Sequence, residues 1–215
     1  MKRLFDIIFS FLGLLVLTPI GIIVAFLIKI DSKGPVFFNQ TRIGLNRNPF
    51  QMHKFRTMDI DSDKKGQLTV GTKDPRITKV GYWLRKFKLD ELPQLWNVLV
   101  GEMSLVGPRP EVRKYVDLYS EEEKKVLTVV PGITDWASIK FRNENKLIKN
   151  AANPEEFYIK NVMPAKLKMN LEYVRNKGLW IDLKIILLTL FPFLGSSTIR
   201  KLASKIEQNL AASDS

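Results

Sequence analysis

Cysteine is absent from the 215-residue sequence, and histidine occurs only once, at His53. The lack of cysteine excludes disulfides, thiolate catalysis and cysteine-ligated zinc, and a single histidine excludes histidine-rich metal centres. Acidic residues are also scarce, because 22 Asp and Glu stand against 34 Lys and Arg, which gives a formal net charge of +12. This excess predicts an anionic partner, and nucleic acid, phosphorylated substrates and acidic lipid headgroups all qualify.

Charge is absent altogether from residues 7–28, an apolar run near the N-terminus. As a straight helix this run would be roughly 33 Å long, which is close to the hydrocarbon thickness of a bilayer. No convincing small-residue cleavage site follows it, so we expect it to remain on the chain as a membrane segment. Pro19 removes one helical hydrogen bond at the midpoint, and Thr18-Pro19 is therefore the predicted helix break.

Two topologies remain open for this segment from sequence physics. A bend at Pro19 would give a re-entrant helix that enters and leaves on one face of the membrane, but many spanning helices tolerate one proline. Basic residues flank both ends of the segment, and the positive-inside rule weakly favours a cytoplasmic position for both. We expect a re-entrant membrane helix over residues 1–30, with a spanning helix as the alternative.

A short β-hairpin is predicted within residues 35–58. Residues 35–40 and 50–55 have apolar or alternating patterns typical of strands, and turn-forming residues lie between them. Arg42, Lys54 and Arg56 would project from this hairpin as phosphate-binding candidates, although each is also compatible with a solvated basic surface. In the polar loop that follows, Asp61-Ser62-Asp63 matches a metal-binding pattern of many nucleotide-sugar transferases, but such loops are more often only solvated.

Two adjacent carboxylates, Asp90 and Glu91, precede an apolar stripe at helical spacing. Their position predicts the start of a helix, with Asp90 as the N-cap and Pro93 in the first turn. The helix terminus and nearby basic residues would favour the ionised form of Asp90, which could act as a nucleophile or bind a metal. The simpler interpretation is that the pair only caps the helix.

Arg109 follows this helix and stands between Pro108 and Pro110. Both prolines restrict the backbone around the arginine. A rigidly mounted guanidinium near paired carboxylates indicates phosphate chemistry, because arginine can bind a phosphate through two parallel hydrogen bonds.

The rest of the chain is predicted to be mostly helical. Residues 74–88 form a basic amphipathic helix capped by Asp74, which would lie on a membrane surface or pack on the core. Residues 154–178 and 179–191 are also predicted helices. The predicted fold class is α+β: the re-entrant membrane helix, then a mostly helical cytosolic domain over residues 31–195 with a small β-hairpin and amphipathic interface helices, and a polar tail over residues 196–215.

Taken together and in order, these motifs resemble the bacterial sugar transferases, or monotopic phosphoglycosyl transferases, which initiate glycoconjugate synthesis on undecaprenyl phosphate. The strongest matches are residues 89–98, which contain Asp90 and Glu91, and residues 103–110, which contain Arg109. Further matching segments are residues 2–6, 40–44, 54–58, 74–78, 131–134 and 136–137, together with Pro19. The chain differs from the common family pattern at Thr18, where serine is usual, and at Asp135, where glycine is usual.

The resemblance implies an enzyme that transfers a sugar 1-phosphate from a UDP-sugar to undecaprenyl phosphate and releases UMP. It implies that Asp90 is the nucleophile, that Glu91 binds Mg²⁺ or orients the lipid phosphate, and that both carboxylates are metal ligands. The implied substrate phosphate-binding residues are Arg109, Lys54, Arg56, Arg42 and Arg142.

The resemblance also implies where the protein acts. The expected location is the cytoplasmic face of the bacterial inner membrane, in contact with membrane lipid; nucleic acid is not expected as a partner, and homo-oligomerisation stays open. The alternative is a non-catalytic, membrane-anchored basic module that binds acidic lipid or nucleic acid. Neither the motifs nor the unusual residues 138–142 identify the sugar.

Overall fold

The apolar N-terminal segment forms one helix, α1 (Lys2–Asp31), in a computed structural model that describes residues 1–60, 62, 74–142, 148 and 151–191. The helix is long and apolar enough to cross a membrane, and most of its central side chains are exposed. It is continuous through Pro19, where the Thr18 hydroxyl donates to the Leu14 carbonyl at 2.6 Å. The bend and the re-entrant path remain predictions.

The predicted hairpin is confirmed as strands β1 (Phe37–Ile43) and β2 (Pro49–Phe55). The strands are antiparallel, with Phe37 opposite Phe55 and Ile43 opposite Pro49. A short 3₁₀ turn, Leu45–Arg47, connects them. Alternation along β2 buries Phe50 and Met52 on one face, and Lys54 follows them on that same face.

Two short helices flank the carboxylate pair: α2 (Lys79–Phe87) and α3 (Gln94–Val100). The expectation that Asp90 caps a helix is wrong, because a separate 3₁₀ turn, Leu89–Glu91, precedes α3 and Asp90 makes no capping hydrogen bond. The expectation that Asp74 caps α2 is also wrong. Thr78 takes that role, since its side chain accepts the Gly81 N–H at 3.0 Å.

A parallel pair of three-residue strands, β3 (Ser104–Val106) and β4 (Gly132–Thr134), was not predicted. The connection between them contains α4 (Arg113–Val116) and the 3₁₀ helix Glu123–Thr128. Gly107, which follows β3, and Gly132, the first residue of β4, allow the two segments to approach closely, because a Cβ atom on Gly132 would lie 2.0 Å from the Gly107 nitrogen. The pairing therefore brings the segment after β3 beside the segment after β4.

After β4 the described part of the chain is mainly helical. It contains α5 (Trp136–Lys140), α6 (Pro154–Phe157), a π turn (Tyr158–Val162), α7 (Met163–Asn176) and α8 (Leu179–Leu190). The helices predicted over residues 154–178 and 179–191 are confirmed, whereas α5 was not predicted. The chain is thus a mixture of helix and sheet with one long apolar N-terminal helix. The Asp61 and Asp63 pattern and the polar tail, residues 196–215, lie outside the described residues.

Both ends of α1 contact the folded domain. At the start, the Lys2 ammonium pairs with the buried Asp182 of α8 at 2.6 Å. Arg3 donates at the C-terminal end of α3, to the carbonyl of Leu99 at 2.8 Å. At the far end, Asp31 accepts the Val80 N–H at 2.8 Å, in the first turn of α2. The first and last turns of α1 are therefore attached to the same body.

Candidate functional site

The two carboxylates lie in the sharp turn between α2 and α3. Lys88 ends α2 with left-handed backbone angles (φ 59°), and the Leu89–Glu91 turn follows at once. A buried residue of α3, Asn97, fixes this region to the hairpin, because it accepts the His53 N–H at 3.0 Å and donates to the Gln51 carbonyl at 2.7 Å. These bonds bring Lys54, the next residue of β2, beside Glu91.

Glu91 is the centre of a charged cluster with Arg109 and Lys54. One oxygen, Oε1, accepts a hydrogen bond from Nη2 of Arg109 and lies 3.8 Å from Nζ of Lys54. Burial alone would raise the pKa of Glu91, but the two cations outweigh burial and lower this pKa to about 2. Burial lowers the pKa of Lys54 to about 8, with Glu91 opposing the shift. At neutral pH the cluster therefore contains an ionised carboxylate between two cations.

Asp90 has a different environment from its neighbour. It is 7% exposed, and its Oδ1 atom is buried with no hydrogen-bond partner among the described residues. Burial raises the pKa of Asp90, and the charge of Glu91 adds to this effect, while Lys54 and Arg85 oppose it. The environment therefore makes the ionised form of Asp90 costly, in contrast to the expectation of a stabilising positive field.

Arg85, in the last turn of α2, is one of the basic residues that were expected to add positive charge near Asp90, although it was not among the predicted phosphate-binding residues. Its Nε donates to the Thr57 hydroxyl at 2.9 Å. Burial lowers the pKa of Arg85, and Asp90 is the largest opposing influence, so the two charges interact. The available signal was its position five residues before Asp90, just ahead of a helix end.

The other predicted phosphate-binding arginines have protein partners. Arg56 is buried and donates to the Ser32 carbonyl at 2.9 Å and to the Lys33 carbonyl, beyond the end of α1. Arg42 pairs with Glu111 at 3.1 Å. The charge of Arg42 lowers the pKa of Lys54, so it acts at the edge of the cluster.

Arg142 lies beside a helix end rather than in a described contact with the carboxylates. Its guanidinium donates to the Thr189 carbonyl of α8 at 2.8 Å. Phosphate binding by Arg142, as by Arg42 and Arg56, remains a prediction that their observed bonds neither require nor exclude.

The carboxylate pair fits Mg²⁺ in the way that phosphate-transfer sites usually bind it. Within the described ranges, no group of three or more acidic or histidine side chains could hold a metal alone. Magnesium commonly binds through one or two carboxylates, waters and substrate phosphates. The unpartnered Oδ1 of Asp90 suits such a ligand, whereas Oε1 of Glu91 is already occupied by Arg109.

An apolar groove of about 580 Å³ adjoins the carboxylates. It lies between the middle of α1, the hairpin and the start of α3. Leu92 and Pro93, which follow Glu91 directly, form part of its wall. The other lining residues are Leu14, Leu17, Thr18, Gly21, Ile22, Ala25, Phe37, Asn39, His53, Phe55, Leu95 and Trp96. The wall of this apolar groove therefore begins one residue after Glu91, between the carboxylate turn and α1.

The profile of the bacterial sugar transferases matches residues 1–196. The chain belongs to the bacterial sugar transferase family. This membership confirms the resemblance drawn from the motifs around Asp90 and Arg109, and the match includes α1 as well as the folded domain.

Two long relatives of this sugar transferase carry names that state an activity. The undecaprenyl-phosphate glucose phosphotransferase of Komagataeibacter xylinus is 41% identical over 196 residues, which are 88% of this chain and 35% of the relative. The UDP-glucose:undecaprenyl-phosphate glucose-1-phosphate transferase of Escherichia coli K12 is 38% identical over 199 residues, 89% of this chain and 39% of the relative. The chain therefore spans less than two fifths of each of these proteins.

A shorter relative, the sugar transferase EpsL of Bacillus subtilis, matches along most of its length. It is 38% identical over 201 residues, which are 94% of this chain and 91% of the relative. The matched region therefore covers most of EpsL but only one part of each longer relative.

Proposed function

We propose that this sugar transferase transfers a sugar 1-phosphate from a UDP-sugar to undecaprenyl phosphate, with release of UMP. The observation that carries the proposal is the buried, unpartnered oxygen of Asp90 beside the cluster of Glu91, Arg109 and Lys54. A carboxylate with a free oxygen is a nucleophile that needs no separate base once it is ionised. The names of the long relatives support the substrate class.

The reaction would proceed in two displacements at one phosphorus atom. An Asp90 oxygen attacks the β-phosphorus of the UDP-sugar, the bond from that phosphorus to the bridging oxygen breaks, and UMP leaves with the electron pair. An oxygen of the lipid phosphate then attacks the same phosphorus, and the bond to Asp90 breaks. The carboxylate is restored, and the sugar is joined to the lipid through a diphosphate.

Each displacement brings anions together, so the site must supply positive charge. Arg109 and Lys54 already face the carboxylates, and Arg85 interacts with Asp90. Preorganised cations in a site with little water stabilise the charge that spreads over the phosphate oxygens in the transition state. When bound by the carboxylates and the substrate diphosphate, Mg²⁺ would add to this charge.

The apolar groove suits the prenyl chain of the acceptor. Its lining includes Leu92 and Pro93, so a lipid chain in the groove would hold its phosphate close to Asp90. Burial of apolar surface would favour a polyprenyl phosphate over a soluble phosphate.

The attachments of α1 support a re-entrant path at the cytoplasmic face of the inner membrane. A spanning helix would place its two ends on opposite sides of roughly 30 Å of hydrocarbon. Here the two ends of α1 contact the same folded domain, because Lys2 pairs with Asp182 and Asp31 accepts the Val80 N–H. Entry and exit on one face satisfy both contacts, and the UDP-sugar is then available from the cytosol.

The activity is tested by UMP release in detergent, with undecaprenyl phosphate and a panel of UDP-sugars. Wild-type protein should release UMP with at least one donor, and Asp90→Asn should not. The control is Asn153→Ala. Asn153 is an exposed residue whose side chain caps α6, and this variant should remain active. Absence of release with every donor would favour the non-catalytic lipid-binding module.

The path of α1 is tested with cysteines introduced into this cysteine-free chain. One is inserted after Met1, so that Lys2 is retained, and the control is Glu121→Cys on the exposed surface of the domain. In spheroplasts, a membrane-impermeant thiol reagent should miss both and should label both after lysis. Labelling of the N-terminal cysteine in intact spheroplasts, with the control protected, would establish a spanning helix.

A further inference from the structure

Asp135 is a fully buried carboxylate that makes two hydrogen bonds, one on each oxygen. Its Oδ1 accepts the Ser138 N–H at 2.6 Å and caps α5. Its Oδ2 accepts the N–H of Arg109 at 3.2 Å. One side chain therefore ties the start of α5 to the arginine of the candidate site.

The bond to Arg109 is distinctive because of the two neighbouring prolines. Pro108 and Pro110 have no N–H, so Arg109 carries the only backbone donor in this three-residue segment. The same arginine also donates from Nη1 to the Ile133 carbonyl at 3.0 Å. The segment 133–135 thus holds Arg109 at both its backbone and its guanidinium, and it leaves Nη2 to meet Glu91.

We propose that Asp135 is a positioning residue for the transferase reaction, which holds Arg109 so that its guanidinium reaches Glu91 and the substrate diphosphate. The inference rests on the proposed function for its catalytic part. A glycine at this position, the usual residue in the family pattern, has no side chain to accept the Arg109 N–H. Asp135 is therefore a feature of this chain that adds a fixed point to the site.

The competing explanation is that Asp135 only caps α5. Two substitutions separate the roles. Asp135→Asn keeps one oxygen for the Ser138 N–H but turns an NH₂ group toward Arg109, and Asp135→Ser keeps a capping hydroxyl that is too short to serve both donors. Asn153→Ala is again the matched control, because it removes the cap of α6 far along the chain from Arg109.

The first measurement is a double-mutant cycle on kcat/KM with Arg109→Lys. Loss of one hydrogen bond predicts a fall of about tenfold for Asp135→Asn in the wild-type background. With Lys at position 109 the same change should cost less than about twofold, because the group that Asp135 positions has been removed. Equal effects in both backgrounds, or no effect in the wild type, would overturn the proposal.

The second measurement does not depend on activity. Amide hydrogen exchange followed by mass spectrometry with electron-transfer fragmentation can resolve the Arg109 N–H, and the two neighbouring prolines contribute no exchanging amide. Exchange at Arg109 should be faster in both Asp135 variants and unchanged in Asn153→Ala. If the wild type were inactive with every donor, the proposed function would fail, but this measurement would still decide whether Asp135 holds Arg109. Unchanged exchange in the Asp135 variants would overturn the positioning role of Asp135.

Discussion

The adjacent carboxylates should affect stability in opposite directions when they are neutralised. We predict that Glu91→Gln destabilises the folded protein at neutral pH, whereas Asp90→Asn leaves its stability unchanged or higher. Both substitutions keep the size and shape of the side chain, so the comparison isolates the charge. The reason is that Glu91 has two cationic partners, while Asp90 has a buried oxygen with no hydrogen-bond partner among the described residues.

The magnitude for Glu91 follows from its pKa, which the cations lower from 4.5 to about 2 against the effect of burial. The difference, 4.5 − 2 = 2.5, corresponds to about 3 kcal/mol at 1.36 kcal/mol per pKa unit. Because the folded-state pKa is depressed, this stabilisation is present above pH 4.5 and is lost as the pH falls toward 2. Gln at position 91 would remove it and leave Arg109 and Lys54 without their carboxylate.

For Asp90 the sign is reversed. Burial and the charge of Glu91 raise the pKa of Asp90, so ionisation of Asp90 costs stability at any pH above its pKa in the unfolded chain. Asn removes this cost and keeps the shape of the turn. A site that sacrifices stability for a reactive carboxylate is expected to gain stability when that carboxylate is neutralised.

The assay is thermal unfolding in detergent at pH 7, followed by tryptophan fluorescence, without metal or nucleotide. A loss of about 3 kcal/mol should lower Tm for Glu91→Gln by on the order of 10 °C. Glu121→Gln, at an exposed surface ion pair, is the control and should change Tm little. An unchanged Tm in Glu91→Gln, or a comparable loss in Asp90→Asn, would refute the electrostatic reasoning.

Three further predictions follow from the same contacts. Arg109→Lys should lower kcat/KM by on the order of 100-fold, because lysine cannot reproduce the paired donors of arginine. The control Arg175→Lys, on the exposed surface, should leave kcat/KM unchanged, and equal values in the two variants would make Arg109 a structural brace. Activity should fall as the pH rises through about 8, where Lys54 loses its proton. Lys54→Arg should extend activity to higher pH, and a pH profile that is unchanged in this variant would exclude Lys54 as the cause. Gly34→Ala should lower Tm, because φ is +122° and the new Cβ would lie 2.8 Å from Arg56; an unchanged Tm would show that this turn relaxes easily.

The elements that the sequence predicted well are those with strong local patterns. Charge is absent over most of α1, strand-like patterns mark β1 and β2, and helical periodicity marks α7 and α8. Each pattern depends on which side chains of one segment are apolar, and a single segment is enough to reveal it. The membrane path of α1 depends on partners outside the segment, and it was therefore left open.

The parallel pair β3 and β4 could not be predicted in the same way. Each strand has three residues, and 25 residues from 107 to 131 separate them. Their pairing depends on the close approach of Gly107 and Gly132, which is a tertiary contact without a local pattern. The role of this pair is to place Asp135 beside Arg109, so that contact was also beyond sequence reasoning.

In the candidate site, the two prolines around Arg109 led to the correct expectation that its guanidinium lies near the carboxylates. The environment of Asp90 was misjudged, because its burial depends on how α2, α3 and β2 pack. Arg56 was predicted from its charge, its place on the hairpin and the family resemblance, and its bond to the segment after α1 could only come from the folded structure. Charge and local stiffness are thus visible in a sequence, whereas desolvation and the partner of each cation are not.

The most direct test of the covalent route is mass spectrometry of the protein after incubation with its UDP-sugar and Mg²⁺ but without lipid acceptor. We predict an adduct with the mass of the sugar phosphate on the peptide that contains Asp90, formed together with an equal amount of UMP. Addition of undecaprenyl phosphate should discharge it, and Asp90→Asn should form none while remaining folded and membrane-bound. Normal turnover by the Asn variant, or UMP release that requires the lipid and never yields an adduct, would contradict Asp90 as the nucleophile.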